Sequence, residues 1–88
     1  MNGPEEFAAR VRQLAVQEAP RLFAIVEEYG GQQEARVAGY GLAYPDHADV
    51  NSVEGDFRLS SESPENARAI FEISSRSSGA RNHLVWLD

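Results

Sequence analysis

Cysteine is absent from the 88 residues. Its absence excludes disulfides, thiolate nucleophiles and cysteine-bound zinc, so packing alone must hold the fold. Lysine is absent too: all eight basic side chains are arginines, set singly among fourteen carboxylates for a net charge of −6. Nucleic acid and anionic membrane surfaces are bound by clustered positive charge, and this chain has none to offer. Long apolar runs are also missing. The longest stretch of large apolar residues, 22–26, is far short of the about 20 needed to span a membrane.

What remains is an ordinary globular composition, 42% hydrophobic and 25% charged. One domain covering residues 1–88 is expected, with a single modest core. Asn2-Gly3-Pro4-Glu5-Glu6 reads as a helix start, with proline at the first helical position and acids at the positive end of the dipole. Phe7, Val11 and Leu14 then recur at helical spacing beside Ala8 and Ala15, and Pro20 ends the helix at Ala19. An amphipathic, charged opening of this kind is not a signal peptide, so cytoplasmic residence is the expectation.

Residues 22–29 fit two patterns. Leu22, Ile25, Val26 and Tyr29 have helical spacing. The run is nevertheless short, β-branched and aromatic, and Glu27 and Glu28 would fall at the wrong end of a helix dipole, which favours a strand ending in a solvated acidic pair. Gly30 to Gln33 is a turn. Residues 36–44 alternate as a strand, with Arg36, Ala38, Tyr40, Leu42 and Tyr44 on one face and Val37, Gly39, Gly41 and Ala43 on the other. Pro45-Asp46-His47 is turn chemistry, and 48–53 and 56–60 read as a hairpin about Glu54-Gly55. Ser63-Pro64-Glu65 caps a second helix whose stripe is Ala67, Ile70 and Phe71. A serine-rich loop at 74–79 leads to a final strand at 83–87, in which Leu84 and Trp86 oppose His83, Val85 and Leu87.

The order α-β-β-β-β-α-β predicts a two-layer α+β domain: a mostly antiparallel sheet of four to five strands with both amphipathic helices on one face. The last strand, reached through a helix, has the option of pairing in parallel. The strand order stays open. Two glycines at alternate positions in one strand need a reason. The plain reason is close approach of a helix, the sharper one is a ligand against Gly39 and Gly41, and a third is a bulge that breaks the alternation. Arg81, at the end of the loop from Ser74, is a separate ligand-binding candidate. If helices cover that side, Tyr40, Leu42 and Tyr44 are left on the bare side, with Trp86 as a possible companion. Such a patch is of the kind that marks interfaces.

Catalytic signals are weak. Asp46, His47 and Asp49 offer oxygen and nitrogen ligands at close spacing, but without EF-hand spacing, and polar residues are what a turn requires. Together with His83 they are the only set from which a small hydrolase or isomerase would be built. Ser77-Ser78-Gly79-Ala80-Arg81 lacks phosphate-loop spacing. No cofactor is indicated.

The segments Val37-Ala38-Gly39-Tyr40-Gly41-Leu42-Ala43-Tyr44, Ser63-Pro64-Glu65-Asn66-Ala67 and His83-Leu84-Val85-Trp86-Leu87 resemble parts of a small uncharacterised actinobacterial protein family, and the lysine-free composition agrees with that origin. The resemblance implies a free-standing cytoplasmic domain and carries over no activity, cofactor or site. The sequence as a whole points to a non-enzymatic protein-interaction or regulatory module, expected to be a homodimer. Small-ligand binding is the alternative.

Overall fold

The computed structural model describes residues 3–55, 57–74 and 79–88. Helix α1 (Pro4–Gln17) leads into strands β1 (Arg21–Tyr29), β2 (Glu34–Ala43), β3 (Ala48–Ser52) and β4 (Arg58–Ser61). Helix α2 (Pro64–Ser74) and strand β5 (Arg81–Trp86) complete the chain. The five strands form one antiparallel sheet in the order β4-β3-β2-β1-β5. Residues 21–29 are therefore extended, as the β-branched and aromatic content favours.

The last strand pairs antiparallel with β1 and makes no parallel pairing. Helix α2 carries the chain back across the whole sheet, so β5 runs in the same direction as β4 but lands at the opposite edge, beside the oppositely directed β1. Ser63 caps α2 by accepting a hydrogen bond from the Asn66 backbone N–H at 3.1 Å, with Pro64 as the first helical residue.

The core lies between α2 and one sheet face. Phe23 and Ile25 from β1, Ala48 and Val50 from β3, and Ala67 and Phe71 from α2 are buried there together. Gly39 and Gly41 belong to the same face, and a Cβ at Gly39 would stand 3.3 Å from Phe71 Cε2. Close helix approach thus explains the notched strand. A bulge between Ile25 and Val26 breaks the alternation in β2. Beyond it Arg36 turns to the α2 side and pairs with Glu27 at 3.0 Å, instead of sharing a face with Tyr40 and Leu42.

Among the described residues only α2 covers the sheet. Helix α1 has the expected span to within a turn, yet none of its residues is buried. The fold's radius of gyration is 17.2 Å and its longest dimension 62 Å, whereas a compact chain of this length has a radius near about 12 Å. A nine-residue strand, a three-residue link and a fourteen-residue helix laid end to end come to roughly 61 Å. The helix therefore extends the long axis of the sheet. The two-helix layer expected from the sequence is a one-helix layer with a projecting arm.

Candidate interaction face

Among the described residues no helix lies over the sheet face opposite α2. Toward the Leu22 end of β1, register places the residues of this face in two rows across the strands. One row runs Leu22, Leu42, Asp49, Ser60; the other runs Val85, Ala24, Tyr40, Asn51, Arg58. Leu87 extends the first row, because its backbone N–H donates to the Leu22 carbonyl at 3.0 Å. At this end the face is divided, apolar over β5, β1 and β2 and polar over β3 and β4; farther along, Val26, His83 and Glu28 follow on the same face.

Leu22, Tyr40, Leu42 and Val85 are 42%, 48%, 38% and 39% exposed, whereas Ala24, between Tyr40 and Val85, is 3% exposed. These side chains form a contiguous apolar surface that nothing among the described residues roofs. An open depression of about 580 Å³ lies along its border, lined by Leu22, Tyr40, Leu42, Tyr44, Asp49 and Arg58 among others.

Trp86 does not join this surface. It pairs with Phe23 on the α2 side, edge to face with centroids 5.6 Å apart, and the Arg21 guanidinium lies 4.0 Å from its ring. Its position in β5 was legible by alternation, but its face depended on register with β1. Leu22 and Val85 were missed for the same reason: membership of the patch follows from cross-strand pairing rather than from spacing within any one strand.

On the α2 side the space at the two glycines is filled by the chain itself. Phe23 occupies the space beside Gly41, and the Asn51 carbonyl oxygen would stand 2.8 Å from a Cβ at Gly39. Arg81 is exposed in β5, and the serines at 75–78 lie outside the described residues. A second depression, about 340 Å³, opens on the α2 side beyond the bulge, between Glu27, Arg36, Ser52, Phe57 and Phe71. Glu27 is buried there rather than solvated, at 8% exposed. Its Oε1 accepts from Tyr29 Oη at 2.6 Å and from Arg36 Nε at 3.0 Å. The hydrogen bond to this carboxylate raises the Tyr29 phenol above its ordinary value.

Asp46, His47 and Asp49 do come together. Asp46 Oδ1 lies 2.7 Å from His47 Nδ1, Asp49 Oδ2 lies 3.6 Å from Nε2, and the imidazole stacks on Tyr44 with centroids 4.6 Å apart. The Asp46 hydrogen bond raises His47 above the usual imidazole range, and His47 in turn lowers Asp46. Each ring nitrogen faces a carboxylate, which favours a protonated ring rather than a nitrogen lone pair free for a metal. Among the described residues no group of three such side chains is arranged to hold a metal ion. His83 is elsewhere, bonded to Glu28 at 2.7 Å and paired in register with Val26. Five residues of β1 separate that level from the Arg21 end beside His47, about 17 Å along the strand. The two imidazoles share no cleft.

The chain matches no family model, no curated protein and no solved structure. Among the described residues, no helix is long and apolar enough to cross a membrane.

Proposed function

We propose that this domain is a self-associating protein-interaction module whose contact surface is the sheet face carrying Leu22, Tyr40, Leu42 and Val85. The observation that supports it is a contiguous apolar face left bare opposite the single covering helix. Burial of such a surface is the main driving force of association. Acid–base catalysis has little support, since the two histidines stand far apart, each bound to its own carboxylate.

Light scattering over a dilution series tests the reading. The chain is expected at twice its 9.7 kDa mass when concentrated and to dissociate on dilution. Leu42→Glu places a charge in the patch without touching the core, and is expected to yield a folded monomer. A monomer at every concentration, or a Leu42→Glu variant that still dimerises, overturns the proposal.

A second reading, small-ligand binding, is supported by the depression beside Glu27 and Arg36, whose size and apolar walls with a few convergent polar groups suit a small organic molecule. A thermal-shift screen of metabolites tests it: stabilisation abolished by Phe57→Ala supports the site, and no stabilisation by any compound removes it.

A further inference from the structure

Among the described residues two apolar surfaces lack a partner, the open sheet face and the stripe of α1. Phe7, Val11 and Leu14 are 64%, 49% and 51% exposed. A helix of fourteen residues is marginal in water when it buries nothing, so α1 needs a surface to lie on. Resting on the self-association proposed above, we infer that α1 of each copy lies along β2 on the open sheet face of a second copy, so that the two chains exchange their N-terminal helices about a two-fold axis.

Spacing and charge both match. Phe7 and Val11, one helical turn apart, are separated by about 6 Å; Tyr40 and Leu42, alternate residues of a strand, by about 7 Å. Phe7 then meets Tyr40, Val11 meets Leu42, and Leu14 reaches the Leu22 end. Glu6 and Arg10 flank the stripe on one side, an acid followed by a base one turn later. On the sheet, Arg58 lies in the Tyr40 row and Asp49 in the Leu42 row, both on the polar half beyond β2. Glu6 faces Arg58 and Arg10 faces Asp49. On the opposite flank of the helix Ala8 falls over Ala24, and Ala15 lies beyond the Leu22 row. With the right-handed crossover expected of β4–α2–β5, a right-handed helix running parallel to β2 puts Glu6 and Arg10 on the β3 side, as this pairing requires.

The projecting arm suits the same arrangement. Helix α1 already extends beyond the start of β1, where a second sheet joined end to end would present its own Leu22 and Leu42. Size selects the reciprocal form. A helix about 21 Å long and 10 Å wide covers roughly 210 Å², well short of the about 800 Å² per partner of a standard interface. Mutual exchange doubles the covered area and still gives a dimer at the weak end of the range. Pairing α1 with a second α1 would leave the sheet bare, whereas exchange covers both surfaces.

A cross-linking experiment tests this on the full chain, and the natural lack of cysteine makes it clean. Val11→Cys and Leu42→Cys chains are mixed and treated with a short bismaleimide, with circular dichroism confirming that each is folded. A covalent dimer joining position 11 of one chain to position 42 of the other is the expected result. Arg10→Glu is expected to weaken association about tenfold, since an attraction becomes a repulsion, and Asp49→Arg added to it is expected to restore most of that loss. Three results overturn the exchange while leaving the dimer itself in place: Val11→Cys chains linking only to one another, a dimer of correct mass with no link between positions 11 and 42, or no restoration by the charge swap. A link formed only within single chains carrying both cysteines shows α1 folded onto its own sheet and also overturns it. A monomer at all concentrations overturns both this inference and the proposed function.

Discussion

The ring of Phe23 occupies the space a side chain at Gly41 would need: a Cβ there would stand 2.8 Å from Phe23 Cε1 and 2.9 Å from the Asp49 carbonyl oxygen. The residues are directly opposite in the β1–β2 register, and Phe23 is wholly buried. Gly41→Ala is therefore an overpacking change at the centre of the core. It is expected to cost about 1–3 kcal/mol, lowering the melting temperature by roughly 4–8 °C per kcal/mol in a domain of this size. Phe23→Leu frees the space, so adding it to Gly41→Ala should cost less than the sum of the two single changes. Chemical denaturation of the four proteins measures the coupling, and strict additivity would mean that the ring and the missing methyl group do not compete.

The same pair shows how far the sequence could be read. Alternate glycines in β2 announced a close approach, and the flanking patterns gave all seven elements in order, because helix and strand periods are local properties. Three things were not local. The face of Trp86 depended on register with β1. Arg36 left the Tyr40 face because a bulge, which alternate glycines suggest but do not position, inserted a residue. Helix α1 carried a correct apolar stripe, but periodicity says that a stripe seeks burial and not which surface provides it. The Asp46, His47 and Asp49 cluster was visible because its members are adjacent in the chain, whereas Leu22 and Val85 reached the candidate face only through pairing.

Trp86 is the sole tryptophan, and its place on the α2 side, against Phe23 and Arg21, makes it a reporter of folding rather than of association. Its emission is expected to stay constant as the protein is diluted through dissociation and to shift red only on unfolding. A Tyr40→Trp, Trp86→Phe protein moves the probe to the open face, where dilution should shift the emission. Constant emission from the relocated probe, while light scattering records dissociation, would place the contact elsewhere.

The exposed His47–Asp46 pair sets a pH dependence whose sign follows from its two shifts. His47 is raised above 6.5, mainly by its hydrogen bond to Asp46, so its contribution to stability is complete below 6.5 and is lost as pH rises through the folded-state value. Asp46 is lowered below 3.8, mainly by His47, so its contribution is complete above 3.8 and is lost as pH falls through the folded-state value. The difference in stability between the natural protein and Asp46→Asn should be largest between these limits, at about pH 4 to 6.5. NMR titration of the His47 ring should give a midpoint above 6.5 that moves down in Asp46→Asn. An unmoved midpoint would show that Asp46 does not hold the ring in solution.

The arm gives the sharpest separation between folding and assembly. No α1 residue is buried within its own chain, so replacing Phe7, Val11 and Leu14 together with alanine removes nothing from the core and keeps helix propensity. The melting temperature of the dilute triple variant should therefore match that of the dilute natural protein. At high concentration the two should part. Coupling of unfolding to dissociation makes the melting temperature of a dimer rise with concentration, and the natural protein should show that rise while the triple variant stays flat. Ile25→Ala acts oppositely, because its side chain is fully buried beneath α2: it should cost about 2–5 kcal/mol at every concentration. If the triple alanine change lowered the dilute melting temperature as much as Ile25→Ala, α1 would be packed on its own domain in solution, and the face opposite α2 would be its seat.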